Sequence, residues 1–308
     1  MVLSSIYNVG RVIVQLFPPP PTWSAKDIPD LTGKVMIVTG GNRGIGRAST
    51  KAKHNATVYV AARNPEACQR AIEELFSETG KRAKFLKVDL ADLKSVKAAA
   101  AEFQEKESTL HALFNNAGLM FADKTLLTKD GYDLHFGTNV LGHFYFTKLL
   151  LPTLISTARK SPDQHVRVVN TSSSGHMLAP DPLDFRCFAD TPERAKLGAG
   201  TLYYQSKLGN VLFANELARR YGDQGIIVTS LHPGSIHETT SDSKLSVAYP
   251  PSYGALTQLY AGTAPQGLGL NGKYLIPWAR VSFPRKDGED PVLGKKLWDW
   301  MDQQVSKL

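Results

Sequence analysis

The sequence predicts an α/β protein, a doubly wound parallel sheet of about seven strands with helices on both faces. Three observations predict it. Short apolar runs alternate with helix-length segments along the whole chain. Polar or glycine-rich loops follow strands one, four, five and six, where open parallel sheets bind their ligands. The first of these loops, GGNRGIG (40–46), lies between an apolar run and a helix start.

In chain order, residues 1–30 read as an N-terminal arm with a proline-rich linker, and residues 31–308 as one domain. Within residues 1–17, Ile6, Val9, Val12, Ile13 and Leu16 recur near helical spacing. An amphipathic helix lying on a membrane surface and an arm packed on the domain fit equally well. The stretch is too short and too polar to span a bilayer, and it lacks a secretory cleavage site. Residues 35–38 form a buried strand. Residues 47–54 must be helical, yet eight helical residues cover only about 12 Å, against strands of roughly 17–20 Å. Only Ala48 and Ala52 give this helix apolar contacts. Residues 57–61 are strand two. Asn64 and Pro65 start a helix with apolar face Ala67, Ala71, Ile72, Leu75 and Phe76. Residues 83–89 are strand three, and Asp92 caps a helix over 93–105. Residues 110–115, 166–170, 225–231 and 272–277 are strands four to seven. Helices are expected over 131–151, 201–221, 252–261 and 293–305, with an irregular insertion over 177–200.

Apolar residues make up 42% of the 308, enough for a sizeable core. Cys68 and Cys187 form no disulfide framework and no metal spacing, which suits a reducing, cytoplasmic setting. The net charge of +8 reads as a solvated basic surface, with an anionic ligand or anionic membrane as sharper readings. No nucleic-acid module is present, so no nucleic-acid partner is expected.

The candidate chemistry starts at the glycine turn. Gly40, Gly44 and Gly46 let a phosphate approach the backbone, and a helix start attracts the anion. A glycine-rich turn without a ligand is the competing reading. Tyr203 and Lys207 stand four apart on a helix, where an ammonium would lower the phenol's pKa. A solvent-facing pair explains the same spacing. Ser173 ends a strand, so its hydroxyl either meets a substrate oxygen or closes a turn. Asn139 sits in an apolar helix and must bond something specific, a ligand or local backbone.

Together these motifs resemble the short-chain dehydrogenase/reductase family. TGGNRGIG (39–46), NNAG (115–118), Ser173, YYQSK (203–207) and Pro233-Gly234 occur in the family's order. NVLGHF (139–144), VVNTSS (168–173) and YYQSKLGN (203–210) are nearest the retinol dehydrogenase-like and WW-domain oxidoreductase-like branch. The resemblance implies a Rossmann-like fold that binds NAD(P) and substrate in one domain. It also implies interconversion of a carbonyl and an alcohol on a small apolar substrate. Tyr203 would be the general acid/base, with Lys207 lowering its pKa and holding the nicotinamide ribose. Ser173 would orient the substrate oxygen, and Asn139 would anchor a relay water. Gly40, Asn42, Arg43, Gly44, Ile45 and Gly46 would form the phosphate turn. Thr39 would serve as a structural ligand of that turn. Asp89, with Leu90, would meet the adenine. Asn116, Ala117 and Gly118 would line the cofactor, and Pro233, Gly234 and Ile236 would flank the nicotinamide. Relatives often dimerise through long helices, here 131–151 and 201–221.

Arg63 ends the second strand where an NAD site carries an acidic residue, and Arg43 lies in the glycine turn. Two guanidiniums without a carboxylate suit a 2′-phosphate, hence NADP(H). Two regions run short. The helix after Gly46 lacks about two residues of the family pattern, a rotation of about 200°. The lid over 235–250 is also short, and His237, Glu238, Thr239 and Thr240 depart from the usual pattern. These gaps support a rival reading, a catalytically impaired dinucleotide-binding protein.

Overall fold

The computed structural model describes residues 10, 12, 15, 17–52, 54–236 and 248–308. Its elements are β1 (Val35–Thr39), α1 (Gly44–Lys51), β2 (Thr57–Ala62), α2 (Pro65–Thr79), β3 (Lys84–Lys87), α3 (Leu93–Lys106), β4 (Ala112–Asn115), α4 (Gly142–Lys160), β5 (Val166–Thr171), α5 (Ala199–Tyr221), β6 (Ile226–Leu231), α6 (Pro251–Thr263), β7 (Lys273–Ile276), β8 (Arg280–Ser282) and α7 (Pro291–Val305). The strands form one sheet in the order β3-β2-β1-β4-β5-β6-β7-β8. The chain reverses direction across the sheet between β1 and β4, which is the switch point where such folds bind ligands. Seven strands are parallel, and β8 turns back antiparallel on β7. Three residues, Arg280 to Ser282, are too few to show a strand period, so the sequence did not reveal this edge.

The sheet is covered on both faces because its side chains alternate. Val35 and Ile37 share a core with Phe144, Phe213 and Leu217. Met36 and Val38 pack the opposite side with Phe114, Ala255 and Leu259. All five residues of β1 are buried, which accounts for its unbroken apolar run. Asn64 caps α2 through Ala67 N–H, with Pro65 in the first turn. Asp92 caps α3 through Ser95 N–H.

Several expectations change. Phe76 is 41% exposed, under the Arg82 guanidinium, and Cys68 joins the buried face of α2 in its place. The 131–151 segment is not one helix: a turn at Leu134–Phe136 and a π stretch at Gly137–Leu141 precede α4. Packing carries α4 past Pro152 to Lys160, since Leu154, Thr157 and Ala158 are buried. The linker packs from Trp23 onward. Trp23 meets the Tyr260 ring at 5.5 Å, and Ile28 and Leu31 are buried. Nearly all of α5 is buried within this chain, because α7 lies across it with Trp298 on Phe213.

The short α1 has eight residues, then His54 and Asn55 turn at φ +35° and +74°. Below its end lies a cavity of about 360 Å³ lined by Asp30, Lys51, His54, Asn55, Thr79 and Lys81. Most of arm 1–17 and residues 237–247 of the lid lie outside the described residues. The lid's described ends meet, with Ile236 bridged to Tyr249. Among the described residues, no helix is long and apolar enough to cross a membrane.

Candidate active site

The strand registers level the carboxyl edge of the sheet. Thr39 lies beside Ala61, Asn115 beside Asn170, and Thr171 beside Leu231. The loops that follow these strands therefore open onto one rim.

The glycine turn is built around backbone contact. Gly40 and Gly44 take φ of +66° and +50°, a region that favours glycine. A Cβ on Gly46 would stand 2.2 Å from the Gly40 carbonyl oxygen and 2.7 Å from Asn116 Nδ2. Arg43 precedes α1 in extended conformation and makes no side-chain cap, so among the described residues no side chain caps the first-turn N–H groups. Ile45 turns away from the rim and packs on Gly254 of α6. Asn42 is half-buried in the turn. Arg43 and Arg63 are exposed, and among the described residues neither forms an ion pair. After β3, Asp89 accepts the Ala91 N–H at 3.0 Å, and the Leu90 carbonyl packs against Gly142. After β6, Gly234 takes φ +89° against the Trp278 ring, between Pro233 and Ile236.

Thr39 does more than brace the turn. Its hydroxyl accepts Asn116 and Ala117 N–H at 2.9 and 3.0 Å. It also meets His143 Nε2 at 2.9 Å and the Phe114 carbonyl at 3.1 Å. His143 Nδ1 faces the Asn139 carbonyl at 3.0 Å, and a carbonyl only accepts, so Nδ1 carries the proton and Nε2 accepts. Burial pushes this imidazole down to about 4, which keeps it neutral.

The catalytic candidates come together at the ends of β4 and β5. Lys207 Nζ donates to the Thr171 carbonyl at 3.1 Å, and Ser172 Oγ donates to the Lys207 carbonyl at 2.7 Å. These two bonds fix α5 against the end of β5. A Cβ on Gly118 would be 3.3 Å from both Lys207 Nζ and Asn139 Oδ1. Tyr203 is hydrogen-bonded to Ser173, whose Oγ also accepts Gly175 N–H at 3.1 Å.

The surroundings of Tyr203, Lys207 and Asn139 bear on their expected roles. Burial raises the Tyr203 phenol above its ordinary value; the Ser173 bond opposes this and Tyr204 adds to it. Lys207 Nζ lies over the ring, 5.8 Å from its centroid, and donates to the Thr171 carbonyl. Lys207 itself is pushed down to about 8 by burial. For Asn139, the backbone carbonyl already accepts His143 Nδ1 at 3.0 Å and Asn210 Nδ2 at 2.7 Å. Its side chain clamps Leu119, accepting the N–H at 2.8 Å and donating to the carbonyl at 3.1 Å, and donates to Ser206 Oγ at 2.9 Å. Asn139 therefore holds the loop after β4 against α5, and its backbone carbonyl is committed to protein donors.

Ser206, Asn210 and His143 carry this network but were not singled out. Tyr203, Ser206, Lys207 and Asn210 stand at i, i+3, i+4 and i+7 on a helix buried on nearly every side. A polar stripe at that spacing was the available signal. Among the described residues, no cluster of His, Cys, Asp or Glu could hold a metal ion.

Comparison with known proteins agrees with this geometry. A family model described as short chain dehydrogenase matches residues 34–180. A short-chain dehydrogenase/reductase of Armillaria gallica is 53% identical over 307 residues, covering 96% of this chain and 98% of the relative. A solved structure of an uncharacterized protein from Mycobacterium paratuberculosis superposes with a TM-score of 0.74 and 27% identity, over 92% of this chain and 97% of that one. The Pseudomonas aeruginosa RhlG/NADP active-site complex shares the fold, with a TM-score of 0.62 and 23% identity over 80% of this chain and 95% of that one.

Proposed function

The chain belongs to the short-chain dehydrogenase/reductase family, and from that premise we propose an NADP(H)-dependent oxidoreductase that interconverts a carbonyl and an alcohol on a small apolar substrate. One observation carries the reading: Ser173, Tyr203, Lys207 and Asn139 meet beside a glycine turn shaped for a pyrophosphate. Residues 31–308 would act as one unit, since one sheet edge carries both sites.

The turn fits a dinucleotide. Gly46 leaves room only for backbone, and the first-turn N–H groups of α1 have no side-chain partner. Asn116 to Gly118 and Pro233 to Ile236 would line the cofactor, with Asp89 and Leu90 at the adenine. A bound nicotinamide dinucleotide supplies or accepts the hydride. The protein's own part is proton transfer and positioning. Tyr203 gives its proton to the substrate oxygen in reduction and takes it back in oxidation. Its raised pKa keeps it protonated and ready to donate. Ser173, bonded to that phenol, orients the same oxygen. Lys207, still an ammonium at neutral pH, stabilises the phenolate once the proton leaves.

The seating of α1 favours this reading over an impaired binding protein. Ile45 packs on Gly254, and Gln258 joins Ser49 of α1 to Thr171 at the end of β5. The turn is thus tied to the strand that ends on Lys207's acceptor and leads into Ser173.

A carbonyl and alcohol panel with both cofactors tests the proposal. Saturable NADPH oxidation is expected, falling about 100- to 10,000-fold in Tyr203→Phe. A melting-temperature rise with NADPH but no turnover on any carbonyl would leave only a dinucleotide-binding protein. For the cofactor, Arg43→Ala with Arg63→Ala should cut the NADPH-over-NADH ratio of kcat/KM by about tenfold or more. An unchanged ratio would place the 2′-phosphate contact elsewhere.

A further inference from the structure

We infer that Phe121 and Tyr204 form an aromatic wall that selects flat, conjugated carbonyl compounds, or the matching alcohols, at the Tyr203 hydroxyl. The inference rests on the oxidoreductase reading above and names its substrate class.

Phe121 is unusual twice over. It takes φ +52°, strained for a bulky side chain, and it is 52% exposed. Neither property favours folding. Its backbone is nevertheless pinned from several sides. The Asn139 amide holds both backbone groups of Leu119. Ala122 N–H donates to Nε2 of the buried His135 at 3.0 Å. Arg194, buried and paired with Asp133 at 3.1 Å, donates to the carbonyls of Lys124 and Leu126. These anchors hold the Phe121 ring 5.2 Å from the Tyr203 ring and 6.3 Å from Tyr204.

Tyr204 completes the wall. Its ring lies on Gly175, where a Cβ would come within 2.9 Å of Cδ1. The Gly175 N–H is the one that bonds Ser173 Oγ, so this ring is next to the hydroxyl pair. A Cβ on Gly200 would meet Tyr204 at 3.7 Å and Phe121 at 3.9 Å, so the glycine keeps both ring edges uncovered there. A substrate with its oxygen at Ser173 and Tyr203 would extend its body along these rings. The Phe121 and Tyr204 rings meet edge to face, at 87°, so they form a corner with an exposed face rather than a sandwich. Aromatic pairs are favourable at centroid separations of about 4.5–7 Å, and a flat body brings more of its atoms against such a face than a puckered one does.

The test compares 2-acetonaphthone with its saturated acetyldecalin counterpart, which has the same skeleton but is puckered. Dissociation constants are measured by titration calorimetry on protein saturated with NADP+, where a ketone cannot turn over. Wild type should bind the naphthone about tenfold more tightly. Phe121→Gly should lose most of that preference and melt no lower than wild type, because glycine accepts φ +52°. Phe121→Trp should keep the preference. Equal affinities in wild type, an unchanged ratio in Phe121→Gly, or a clear fall in its melting temperature each overturn the aromatic wall. The binding arm needs no chemistry, so absence of turnover in a parallel NADPH assay counts against the oxidoreductase reading alone.

Discussion

Lys207 is a buried cation whose one acceptor among the described residues is the Thr171 carbonyl, and burial brings it down to about 8. Its ammonium is therefore lost as pH rises through that value, while the raised Tyr203 phenol stays protonated. In the reductive direction kcat/KM should fall above about pH 8, since this constant reports the free enzyme. Lys207→Arg, which cannot lose its charge, should remove that limb even if the plateau is lower. A limb that stays in place in the arginine variant would assign it to another group. At this scale the sequence pointed to the candidate residues but not to the contacts between them. YxxxK spacing puts Tyr203 and Lys207 on one helical face, but it does not say that the ammonium reaches past the ring to a strand-end carbonyl. His143 was visible within NVLGHF, yet its role depends on Thr39, 104 residues away in sequence.

Among the elements, α1 shows how a short helix is held. Its apolar contacts are few, and polar ones supplement them. Arg47 pairs with Glu74 and Glu78, Lys51 pairs with Glu78, and Gln258 reaches Ser49. The ion pairs are exposed enough to contribute little each. The fixed point is Gly46, where a Cβ would collide with the Gly40 carbonyl. Gly46→Ala should destabilise the fold by about 1–3 kcal/mol and weaken NADPH binding by about tenfold or more. Urea unfolding and a dinucleotide titration check the two effects. Undiminished NADPH affinity would show that the turn adjusts without involving the phosphate site. Sequence reading measured the shortness of α1 correctly from residue count. It could not foresee Gly254 and Gln258 as supports, because α6 lies some two hundred positions downstream. The π stretch before α4 was equally hidden, since its residues have ordinary helical composition.

For the molecule as a whole, acid sensitivity is the property most directly set by the core. Burial pushes His143 and His232 down to about 4 and about 3 from the ordinary 6.5. Both are neutral when folded and bind protons below pH 6.5 when unfolded. The stability they contribute is complete above 6.5 and is lost as pH falls towards those folded values. Between pH 7 and pH 5 each imidazole should remove about 2 kcal/mol of unfolding free energy. The urea midpoint should drop accordingly with an unchanged slope. Equal midpoints at the two pH values would mean that neither ring is held neutral in the interior. The alternation of strands and helices announced the sheet and its two covered faces. The added β8 edge and the laying of α7 over α5 were not legible, because each depends on contacts between distant segments.

The Thr39 hydroxyl joins the glycine turn, the NNAG loop and, through His143, the carbonyl of Asn139. The dinucleotide and substrate sites proposed above thus share one hydrogen-bonded block, and thermodynamic linkage would make their affinities reciprocal. Whatever factor a bound dinucleotide adds to the affinity for a carbonyl ligand, that ligand adds to the affinity for the dinucleotide. Evolution or engineering that alters one partner's binding through this block alters the other's as well.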